Sequence, residues 1–160
     1  MTVLEVERAG RSVVTVRRVA DPVSQALDGA RAFIRTRDLQ PVAMTHVLPG
    51  TCRTVLERAF TEAAGLRLHR AGLAEHEAEA VTAAVTLMDV AALGLFGDAS
   101  RTGAVSREPR NRCGPGAVDL LRRCQAGAHP SGAPMPDPRR FVNDIEAMAQ
   151  TIREPEEPTP

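Results

Sequence analysis

Aromatic side chains are nearly missing from this chain. There is no Trp or Tyr, and Phe occurs four times in 160 residues. Leu, Val and Ala must therefore fill the interior. The apolar share, 43%, is ordinary, and the length suits one modest core. A single domain over residues 1–153 is expected. Residues 154–160 hold three prolines and three acids without an apolar anchor, which predicts a disordered tail.

Patterning changes near residue 20. Before it, Val3, Leu4 and Val6, then Val13, Val14, Val16 and Val19, stand on either side of Gly10. Such β-branched runs predict two antiparallel strands joined by a tight turn. After it, apolar positions recur at helical spacing. Asp21 and Pro22 open a helix over 21–37, because Asp caps and Pro fits the first position, where no N–H is needed. Val23, Ala26, Leu27, Ala30, Phe33 and Ile34 form its stripe.

Residues 40–49 read as a loop. A second helix is expected over 51–64, with Cys52, Val55, Leu56, Ala59, Phe60 and Ala63 on one face and Gly65 ending it. A third is expected over 73–95. Its stripe is Leu73, Val81, Ala84, Val85, Met88, Ala92 and Leu95, and Glu75, Glu77 and Glu79 sit in its opening turns. Residues 97–112 read as polar and irregular, 118–125 as a short helix and 128–138 as a proline-rich loop. Asp137 and Pro138 repeat the cap-plus-proline device and launch a closing helix with Phe141, Ile145, Met148 and Ile152 on one side.

Charge excludes several functions. All 20 basic residues are Arg, so Schiff-base chemistry and a phosphate-binding loop, both of which use lysine, are absent. The 20 acids bring the formal net charge to zero, and stacking aromatics are few, which argues against nucleic acid as a partner. No apolar run approaches the roughly 18 residues a membrane helix needs. Cys52, Cys113 and Cys124 follow no secretory signal, so free thiols in the cytoplasm are expected.

The segment that reads most like part of a ligand site is Gly114, Pro115 and Gly116, with Asp119 just inside the helix that follows. Two glycines around a proline form a rigid kink that lets backbone approach a ligand closely. The free amides of the next helix face that kink and suit an anion. The plainer reading is a turn that opens a helix. Other clusters carry less. Cys113, Cys124 and His129 match no zinc spacing, His76 lacks a second His at position 80, and no Ser sits in a nucleophile elbow. No metal site and no local catalytic group is expected.

The order of these elements resembles a GHKL-type ATPase domain, in particular the small bacterial serine kinases of stress-sigma-factor switches. Three stretches carry the resemblance. Residues 14–18 with the 21–37 helix are similar to that family's opening strand and first helix. The helix at 51–65 stands where the family places its magnesium ligand. Gly114, Gly116, Asp119, Gly127 and residues 139–144 follow its glycine box, lid and closing helix.

The resemblance implies a pocket for ATP and magnesium between the 51–64 helix and the kink. There Gly114 and Gly116 would admit the base, Asp119 would orient the following helix, and Glu57 would be the nearest carboxylate to the metal position. Three departures stand against activity. The adenine-binding Asp position holds Arg112, the magnesium-ligand position falls at or near Ala59, and residues 131–136 replace a glycine-rich lid with a proline-stiffened one. Together these imply a relative without kinase activity and without a bound cofactor.

The fold expected on this reading is α/β, a two-layer sandwich with helices on one face of a mixed sheet. The function expected is a non-catalytic regulator in bacterial sigma-factor signalling. It would act by contact with another protein, such as a switch or sigma-regulatory protein. The alternative is a mainly helical bundle with an N-terminal hairpin, serving as the ligand-binding or dimerisation domain of a transcriptional regulator. Strand count separates the two.

Overall fold

The computed structural model describes residues 3–9, 13–19, 21–36, 41–73, 76–126 and 137–154, the first two segments as backbone. In those two segments β1 (Val3–Ala9) pairs antiparallel with β2 (Val13–Val19), and Val6 stands opposite Val16. This hairpin is the whole of the sheet among the described residues. The α/β sandwich on a mixed sheet is therefore not the fold. The protein is mainly helical, as in the bundle alternative, because the apolar sets after residue 20 lie on helices and meet one another directly. The turn at Gly10, the segment 128–136 and the tail beyond Glu154 lie outside the described residues.

Helix α1 (Pro22–Arg35) starts as its sequence dictates. Asp21 accepts a hydrogen bond from the Val23 amide at 3.1 Å, and Pro22 takes the first position. Val23, Leu27 and Ala30 are buried.

Helix α2 (Pro41–Arg70) is the axis of the bundle, and α1 and the helices Leu87–Phe96, Ala117–Ala126 and Pro138–Arg153 all pack against it. The loop expected over 40–49 is instead helical from Pro41, although Pro49 and Gly50 disfavour a helix interior. The helix continues through both. Leu48 and Pro49 are buried, and the Thr51 hydroxyl donates to the Val47 carbonyl at 3.3 Å. Tertiary burial outweighs local preference here. Gly65 does not end the helix either. The stop comes at Gly72, whose φ of 74° lets Leu73 N–H reach the Leu68 carbonyl at 2.8 Å while Gly72 N–H meets His69.

The expected helix over 73–95 is two helices, α3 (Glu77–Ala83) and α4 (Leu87–Phe96). A capping box divides them. Thr86 Oγ1 accepts from the Asp89 amide at 3.2 Å, and the Asp89 carboxylate accepts from the Thr86 amide at 2.8 Å. Val85 and Leu73, expected in the buried stripe, are instead exposed, Val85 at 80%. Gly97, with φ 71°, closes α4.

Gly94 explains how α4 approaches α2. A Cβ at this position would stand 2.6 Å from the Phe60 carbonyl oxygen, so the crossing requires glycine. Arg67 Nε also donates to the Gly94 carbonyl across the contact at 3.2 Å.

The stretch 97–112 is more ordered than its polarity suggests. A 3-10 turn (Ala99–Ala104) capped by Asp98 leads to α5 (Glu108–Cys113), and Val105 and Pro109 are buried. Helix α6 (Ala117–Ala126) buries Ala117, Leu121 and Cys124. Helix α7 (Pro138–Arg153) is capped by Asp137, which accepts from the Arg140 amide at 3.0 Å, and it buries Phe141, Ile145, Met148 and Ile152.

Candidate functional site

Gly114 ends α5 with φ 92°, a conformation open to glycine and costly for most other residues. The Ala117 amide donates back to the Gly114 carbonyl at 3.2 Å, and the Asp119 and Leu120 amides both reach the Gly116 carbonyl at 3.1 Å. The kink therefore sets where α6 begins and how it faces α7. A Cβ added at Gly116 would meet nothing within 4 Å, so this glycine borders open space.

That space is a groove between α6 and α7. Its first part, about 290 Å³, has Cys113, Gly116, Ala117 and Leu120 on one side and Asp144, Ala147, Met148 and Thr151 on the other. Its second part, about 250 Å³, runs between Asp119 and Arg123 on α6 and Arg140 and Phe141 on α7. Leu120 and Asp144 border both parts, which places them side by side along α6 and α7. Its floor is apolar and its rim carries both signs of charge. The Asp144 carboxylate lies 3.8 Å from Arg140, with both side chains largely in solvent.

The four residues singled out from the sequence do not share one place. Gly116 lines the first part of the groove and Asp119 the second, where Asp119 stands 3.9 Å from Arg122. Gly114 shapes the kink. Glu57 lies on α2, receives a hydrogen bond from Arg53 Nε at 2.6 Å, and lines neither part of the groove.

Two positions noted as departures have structural reasons. Ala59 is fully buried in the apolar core, where an amide or carboxylate would lose its hydration. Arg112 reaches across to α7 and donates to the carbonyls of Thr151 at 3.0 Å and Glu154 at 3.2 Å. It thereby satisfies the end of that helix.

The α7 wall of the groove was missed in the sequence. Asp144, Ala147 and Thr151 stand on α7 beside Met148 of the buried stripe, and what makes them a wall is the packing of α6 opposite, which no local pattern carries.

Burial works against thiolate formation at the three cysteines. Burial pushes Cys52 up to about 12 and Cys124 well above its usual range. Burial also raises Cys113, against a smaller opposing pull from Arg112. No cluster of three or more His, Cys, Asp or Glu able to hold a metal is found among the described residues. No described helix is long and apolar enough to cross a membrane.

The arrangement can hold an apolar or amphipathic surface against a charged rim. Compared with family models, with curated proteins and with solved structures, the chain matches none.

Proposed function

We propose that this chain is a non-catalytic helical module of a regulatory protein, working by contact with another protein through the α6–α7 groove. The observation that carries the reading is the groove itself. An apolar floor of Ala117, Leu120, Phe141 and Met148 lies under a charged rim, the general anatomy of a protein contact surface. The three free cysteines fit a reducing compartment such as the cytoplasm.

A second reading is a ligand-binding or dimerisation domain of a transcriptional regulator. It is favoured by the helices packed around α2 with a single described hairpin. A nucleotide pocket has less support, since Glu57 stands apart from the groove that Gly116 lines.

Site-specific photo-cross-linking tests the contact. A photoreactive residue at Ala147, in the groove, is compared with one at the exposed Arg70 at the end of α2. In the cells that make the protein, a discrete adduct from position 147 and none from position 70 is expected. Adducts from 70 with none from 147 would place the contact elsewhere.

A further inference from the structure

No further inference is drawn: the strongest candidate, the pair of core thiols Cys52 on α2 and Cys124 on α6, rests only on the titration behaviour that burial gives the two groups.

Discussion

Three charged side chains tie the start of α1 to the middle of α2 and the end of α7. Arg153 meets Asp21 at 2.9 Å and Glu62 at 2.9 Å, and the Asp21 side chain is 8% exposed. Burial works to raise the Asp21 pKa, but hydrogen bonds from Ser24, Arg153 and the Val23 amide outweigh it and hold the carboxyl below its ordinary value. A depressed carboxylate contributes stability above its unfolded pKa and loses it as pH falls through the folded value. Asp21→Asn keeps a capping side chain and removes the charge, so it should cost about 1–3 kcal/mol at neutral pH. The gap between variant and parent should narrow as pH is lowered through and below the usual carboxylate range, because protonation removes the charge that Asn lacks. Urea melts at several pH values check this; a gap independent of pH would mean the charge is not what matters. Gly94→Ala is the steric counterpart. Its new Cβ would meet backbone rather than a movable side chain, so a loss of about 1–3 kcal/mol is expected in the same melts.

Among the elements, α7 was the most legible. Asp137, Pro138 and an apolar set at spacings of four and three fixed its start and its buried face together, because cap and stripe agreed. Phe141 is 6% exposed, so Phe141→Ala should cost about 3–5 kcal/mol. Asp137→Ala should cost about 1 kcal/mol through the lost cap. Equal stability of parent and Phe141→Ala protein in denaturant melts would put the ring outside the core.

Helix α2 was harder to read because its local signals point the wrong way. Pro49, Gly50 and Gly65 all argue for a break, and burial of Leu48 and Pro49 on a core assembled from distant segments overrides the first two. The break at 84–86 had a local signal, Thr86 followed three residues later by Asp89. A continuing apolar period through Ala84 and Val85 concealed it.

At the scale of the whole molecule, the hairpin and the helices gave two global answers from the same sequence. Runs of Val before residue 20 suggested a sheet large enough to carry helices, but two strands are all the described residues form. The remaining apolar groups meet around α2, where small residues such as Ala59 and Gly94 permit close helix packing in a chain with few aromatics. The candidate site was legible in part. The kink announced itself through glycine and proline, whereas its partner wall on α7 depended on a tertiary contact that no local pattern specifies.

A helical contact module, as proposed, keeps no nucleotide site, and calorimetric titration with ATP, with and without magnesium, separates it from an ATPase. Binding too weak to resolve at submillimolar concentrations, with no dependence on magnesium, is expected. Submillimolar affinity strengthened by magnesium would contradict it.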